Sequence, residues 1–319
     1  MKIRFWRPIC IESIYPEYFP NVPLFLKTND NYVLYKNREQ KFSDHDRRRL
    51  ERNYTEFLYA RTGDMEEVDR YLESNLTAIL ANCELSDSAK GKILYQALIN
   101  LVTDMFETPE IVSDQFRCRN LIQHVMEYVA TEKQALFSLQ SVVSNNFYIV
   151  AHSVQVAAVN LLAHMKLFNM THDEMVDIGV GSLLHDFGMI FISGEILDKP
   201  NAISDIEYYK VKQHTQKGYE FLQQTGLFSN VALNIVRHHH ERYDGNGYPT
   251  GIKGDATHCS AQMSAICNAY CAITTDRIYR KGLSHADAFR VLREESRQGA
   301  FNNELFSRFE EVVDEARGL

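Results

Sequence analysis

The stretch that decides this chain is His238-His239-His240-Glu241-Arg242-Tyr243-Asp244-Gly245-Asn246-Gly247-Tyr248-Pro249. It sets consecutive imidazoles at a helix end against a glycine-rich loop. Imidazole nitrogens are good ligands for iron, manganese and zinc, and Asp-Gly and Asn-Gly are turn signals that let a loop fold over a bound anion. The segment therefore points to metal and phosphate chemistry, provided that other ligands exist in the chain.

Further ligands lie upstream, on segments with helical periodicity. An apolar-periodic run opens at Thr171, where Thr171 and Glu174 fit a capping box, and ends in Gly181-Ser182-Leu183-Leu184-His185-Asp186-Phe187-Gly188. His185 and Asp186 thus leave the last turn of a helix, an imidazole beside a carboxylate able to bridge two cations. His152 stands thirty-three residues before His185 and His214 twenty-nine after it, each on its own amphipathic helix.

These elements resemble the HD-GYP family, bacterial metal-dependent phosphodiesterases that hydrolyse cyclic di-GMP. The resemblance runs from about Tyr148 to about Asp287. It rests on the HD pair His185-Asp186, the HHE element His239-His240-Glu241, the Gly247-Tyr248-Pro249 signature, and the segment from Asn268 to Arg280, similar to the family's last ligand helix. It implies a mostly α protein, an all-helical HD-domain bundle of HD-GYP type over residues 136–319. A small α+β regulatory or sensor module with a helical connector would precede it, over residues 1–135.

The resemblance also implies roles. Asp186 would bridge two divalent transition-metal ions, iron or manganese. His152, His185 and Asn268 would hold the first, and His214, His239 and His240 the second. His185 and Asp186 would form the catalytic pair. Arg277 and Arg280, three apart on one helical face, would clamp substrate phosphate with Lys281 beside them, and Gly247 and Tyr248 would line the nucleotide pocket. Two such ions can activate a water at neutral pH and neutralise charge on the attacked phosphoryl group, which suffices for phosphodiester hydrolysis.

The chain departs from the family pattern at several positions. Met189 stands where the family commonly has the lysine of HDxGK, Asn268 and Cys271 where it has aspartates, and Tyr148 where some members have a glutamate associated with a third metal. Tyr148 argues for two ions. Asn268 can still ligate through its carbonyl oxygen. Two readings follow: an enzyme linearising cyclic di-GMP or a related cyclic dinucleotide to pGpG and GMP, or a receptor or interaction module of the same fold without turnover.

Composition agrees with either. The 319 residues, 45% hydrophobic, can bury one large core or two moderate ones, and a net charge of −8 excludes a nucleic-acid polymer as the expected partner. The most apolar helix, Val154 to Leu167, is interrupted by Gln155, Asn160 and His164, so no membrane span is expected. Six cysteines without Cys-x-x-Cys spacing fit a reducing cytoplasm. Before the bundle, strand-like runs at Tyr32–Lys36 and Phe57–Arg61 flank a charged helix over Asp44–Asn53. Helices are expected over about 64–83, 87–106 and 111–145, the last able to connect domains or pair with a second subunit. Beyond a homodimer, a diguanylate cyclase is a candidate partner.

Residues outside the motifs carry blander expectations. His45-Asp46 is a second HD dipeptide in a run of charge, expected to be solvated surface. His238 is expected to lie behind the ligands or on the surface rather than among the ligands. Cys267 and Cys271, one turn apart, are expected to pack in the core.

Overall fold

The computed structural model describes residues 5–16, 18–29, 31–131, 148–197, 199, 201–276 and 281–318. Its contacts divide the chain into two compact units, residues 2–101 and 102–319.

The first unit is built on a four-stranded antiparallel sheet, from β1 (Trp6–Cys10), β2 (Leu24–Thr28), β3 (Asn31–Lys36) and β4 (Phe57–Arg61), in the order β1-β4-β2-β3. β1 and β4 pair from Trp6↔Arg61 to Cys10↔Phe57, whereas β2 and β3 form a hairpin from Thr28↔Asn31 to Leu24↔Lys36. Alternation along the strands turns Ile9, Leu58 and Ala60 inward, fully buried. The helices are α1 (Asp44–Arg52), α2 (Met65–Ala81) and α3 (Asp87–Glu107), inside which the division between units falls.

One expectation needs correcting here. His45 is exposed, but Asp46 is buried rather than solvated. It closes the α1 capping box with Ser43 and accepts an ion pair from Lys36 Nζ at 2.7 Å. Burial opposes its charge, yet Lys36 and Ser43 hold the carboxyl at about 2. The dipeptide is thus a helix cap.

The second unit is helical: α4 (Gln115–Thr131), α5 (Tyr148–Leu167), α6 (His172–Leu183), the short α7 (Gly194–Leu197), α8 (Asp205–Thr225), α9 (Asn230–His238), α10 (Cys259–Thr274), α11 (His285–Arg297) and α12 (Asn303–Arg317). The expected helix over 111–145 is replaced at its start by a 3-10 turn, Pro109–Ser113, and its end lies outside the described residues. α5 is the axis of the bundle, packing against α4, α6, α10 and α12. Every residue from Val150 to His164 is buried, as its apolar residues on all faces require. It is long and apolar enough to cross a membrane, but 83% of its apolar window is buried inside the protein. Three of the helices begin at side-chain caps: Thr171 with Glu174 for α6, Ser204 with Glu207 for α8, and Ser229 for α9. α8 packs against α9 and against the 3-10 turn Phe187–Phe191 that follows α6.

Candidate metal centre

Four segments deliver imidazoles to one buried point. His152 comes from the first turn of α5, His185 from the turn after α6, His214 from mid-α8, and His239 and His240 from the end of α9. His185, His214 and His239 share one local geometry: the ring Nδ1 meets the carbonyl three residues back, Ser182 at 2.7 Å, Val211 at 2.7 Å and Val236 at 3.0 Å. A carbonyl can only accept, so Nδ1 carries the proton and Nε2 is left with a lone pair facing inward.

Asp186 stands where these lone pairs converge. Its Oδ2 lies 3.3 Å from His185 Nε2, and its Oδ1 lies 3.2 Å from His214 Nε2 and 3.8 Å from His239 Nε2. Two donor groups result, each with its ligand atoms within 4.8 Å of one another: His152, His185 and Asp186, and Asp186, His214, His239 and His240. Asp186 belongs to both. Burial opposes its charge, but the His185 and His214 imidazoles hold its carboxyl well below the usual range. Burial first, and neighbouring imidazoles second, keep His239 and His240 well below the usual histidine range, hence neutral. Among the described residues, the buried His185 Nε2 has no hydrogen-bond partner. A carboxylate held ionised among converging imidazoles, two of them kept neutral by burial, fits divalent transition metals.

The other predicted residues fall as follows. Asn268, buried on α10, has its Oδ1 2.8 Å from His152 Nε2, beside the first group. Tyr148 stacks on His152, with ring centroids 5.7 Å apart. Tyr248 stacks on His240 at 4.6 Å and meets His214 edge-on at 6.4 Å, and burial pushes its hydroxyl pKa up. Gly247 lies where a Cβ would overlap the backbone of Arg242, so only glycine lets the loop return this closely. Lys281 is not brought to the cluster: its side chain is 90% exposed and paired with Asp276 at 2.6 Å. Arg277 and Arg280 lie outside the described residues. His238 is buried but in neither group, and Cys267 and Cys271 are fully buried free thiols.

Three features of the site are not among the residues predicted from sequence. Glu241 clasps the loop: its Oε1 accepts from Thr250 N–H at 2.8 Å, Thr250 Oγ1 at 2.7 Å and Gly251 N–H at 3.1 Å, and its Oε2 from Ile252 N–H at 3.2 Å. The third letter of HHE was its signal. Asn160 donates to Ser182 Oγ at 2.6 Å and Ser264 Oγ at 2.7 Å, tying α5, α6 and α10 behind the first group. A polar interruption of an apolar helix marked it. Lys212 places its ammonium over Tyr208 and Tyr248, which no sequence pattern marks.

Comparison with known proteins agrees with this geometry. A family model described as HD domain matches residues 125–305, more than half of the chain. A cyclic di-GMP phosphodiesterase of Pseudomonas aeruginosa is 32% identical over 200 residues, 63% of this chain and 48% of that protein. A 3'3'-cGAMP-specific phosphodiesterase of Vibrio cholerae is 24% identical over 268 residues, 81% of this chain and 56% of that one. The chain thus spans about half the length of these curated relatives. Among solved structures, an HDG"Y"P protein from Bdellovibrio bacteriovorus superposes with a TM-score of 0.73 at 21% identity, covering 97% of this chain and 99% of its own, and so shares the fold. The HD model matched over more than half of the chain makes it a member of the HD domain family.

Proposed function

We propose that this chain is a metal-dependent phosphodiesterase that opens cyclic di-GMP, or a related cyclic dinucleotide, to its linear form in bacterial signalling. The observation that carries the reading is one carboxylate, Asp186, shared by two groups of imidazoles whose ligand atoms lie within 4.8 Å of one another. The phosphodiesterase names of the relatives support it.

His152, His185, Asp186 and Asn268 would hold one ion, and Asp186, His214, His239 and His240 a second, iron or manganese at both. Bound there, two divalent cations supply Lewis acidity and an activated water for attack on phosphorus. The chain's own contribution is orientation. Carbonyls fix the His185, His214 and His239 tautomers, and Glu241 pins the loop that lays Tyr248 across His240. Gly247, Tyr248, Arg277 and Arg280 are the residues assigned to substrate. Residues 1–135 act as a regulatory module with a helical connector, and 136–319 as the catalytic domain, in a cytoplasmic, homodimeric protein. A diguanylate cyclase is its candidate partner.

One observation favours a receptor without turnover: the first group ends in a neutral amide, Asn268, which is already engaged with His152 at 2.8 Å. A single experiment separates the readings. Protein purified without chelator and reconstituted anaerobically with iron or manganese is assayed for metal content and for conversion of cyclic di-GMP to pGpG. About two ions per chain with turnover is the expected result. Loss of turnover and of both ions in Asp186→Ala supports the shared carboxylate. Binding of dinucleotide without hydrolysis selects the receptor, and absence of metal overturns the site.

A further inference from the structure

The Lys212 ammonium lies 4.8 Å from the ring centroid of Tyr208 and 5.7 Å from that of Tyr248. Because Tyr248 stacks on His240 and meets His214, this cation stands one ring away from the Asp186, His214, His239 and His240 group. Tyr208 precedes Lys212 by one turn of α8, so both side chains share a helix face, and the residue is 48% exposed.

Three other cations of this unit are engaged. Lys199 pairs with Glu207 at 2.8 Å and Arg242 with Asp244 at 2.9 Å, while Arg237 bonds Gln216 at 3.2 Å. Lys212, half-buried, has no carboxylate partner among the described residues. Two aromatic faces orient an ammonium but leave its charge uncompensated, so it is ready to take an anion. At Met189, where the family commonly has a lysine, the chain offers none, and its net charge of −8 does not favour a dianionic ligand.

We infer that Lys212 is a substrate-binding residue: its ammonium takes a non-bridging phosphate oxygen of the cyclic dinucleotide at the second ligand group, held in place by the Tyr208 and Tyr248 rings. This rests on the reading given under Proposed function.

The test uses the full chain loaded with manganese. Wild type, Lys212→Ala and Lys212→Arg are compared for cyclic di-GMP hydrolysis, inhibition by inorganic phosphate and manganese content. Lys212→Ala is expected to raise both KM and the phosphate inhibition constant about tenfold, the size of one lost charge-assisted hydrogen bond, with kcat changed less than KM and manganese content unchanged. Lys212→Arg keeps the charge and should return both constants to within about threefold of wild type. Constants within about twofold of wild type in Lys212→Ala overturn the assignment, as does loss of manganese in that variant, which makes the residue structural. If wild type hydrolyses no dinucleotide, the phosphodiesterase reading fails by itself. Calorimetric titration of phosphate into the manganese-loaded proteins then decides Lys212, equal affinity in wild type and Lys212→Ala refuting it.

Discussion

Gly188 lies against His214 so closely that a Cβ on the glycine would overlap the His214 carbonyl oxygen. This crossing of the turn after α6 over α8 brings Asp186, two residues before Gly188, to 3.2 Å from His214 Nε2. Gly188→Ala must push the two backbones apart. It should destabilise the protein by about 1–3 kcal/mol, as overpacking does, and empty the His214 group before the His152 group. Gly218→Ala, whose Cβ would meet Gly188 N at 3.0 Å, should do less. Thermal denaturation and elemental analysis read both effects. Wild-type melting and metal content in Gly188→Ala would show that the crossing relaxes freely.

Asn160 plays a comparable part behind the first group. Its amide joins Ser182, whose carbonyl accepts the His185 Nδ1–H, to Ser264, one turn before Asn268, and its Oδ1 accepts from Cys267 Sγ at 3.6 Å. Asn160→Leu keeps the branched heavy-atom skeleton and removes every side-chain hydrogen bond. A loss of about 1–3 kcal/mol is expected, with weaker retention of the ion at His152 and His185 and little change at His214 and His239. Denaturant unfolding and competitive metal titration measure the two quantities. Equal weakening at both groups would reduce Asn160 to general core packing.

The placement of His185 and Asp186 could be read from the sequence because they follow a helix whose start is fixed by the capping box of Thr171 with Glu174, which sets the register that delivers them. Residues whose roles depend on distant partners were not legible in this way. Glu241 binds backbone N–H groups nine to eleven residues ahead, which requires the loop already folded over it. Asp46 read as solvated because its cation, Lys36, arrives from a strand ten residues earlier. The aromatic seat of Lys212 joins a helix to a loop thirty-six residues on, and charge patterning along one helix cannot show it.

His164 gives the helical unit a pH dependence apart from the metal ligands. It is fully buried on α5, its Nδ1–H donates to the Asn160 carbonyl at 2.8 Å, and burial lowers its pKa from 6.5 to about 4. The unfolded chain therefore binds a proton more readily than the folded one. This contribution is fully present above about pH 6.5 and is lost as pH falls toward 4, at up to about 1.4 kcal/mol per pH unit. Urea unfolding of wild type and His164→Phe between pH 4 and 7 checks the sign, since the variant should lose less stability on acidification. Parallel pH profiles would remove His164 from the account.

Met189 and Asn268 form the last test, through the charge around the two ligand groups. Relative to the family pattern, Met189 removes one positive charge and Asn268 one negative charge, so the local sum is unchanged. In the structure Asn268 Oδ1 faces His152 Nε2 at 2.8 Å, so a carboxylate there would add its charge directly to the first group. Asn268→Asp alone should tighten metal binding at that group by about tenfold, as an ionic ligand does over a neutral one. With Met189→Lys as well, the substrate side regains a cation while the added negative charge is balanced, and the double variant should hydrolyse cyclic di-GMP faster than the two single changes predict. A double-mutant cycle read in both metal affinity and rate isolates this coupling. Additive effects in both quantities would make the positions independent. A double variant that binds two ions and still turns over nothing would favour the receptor.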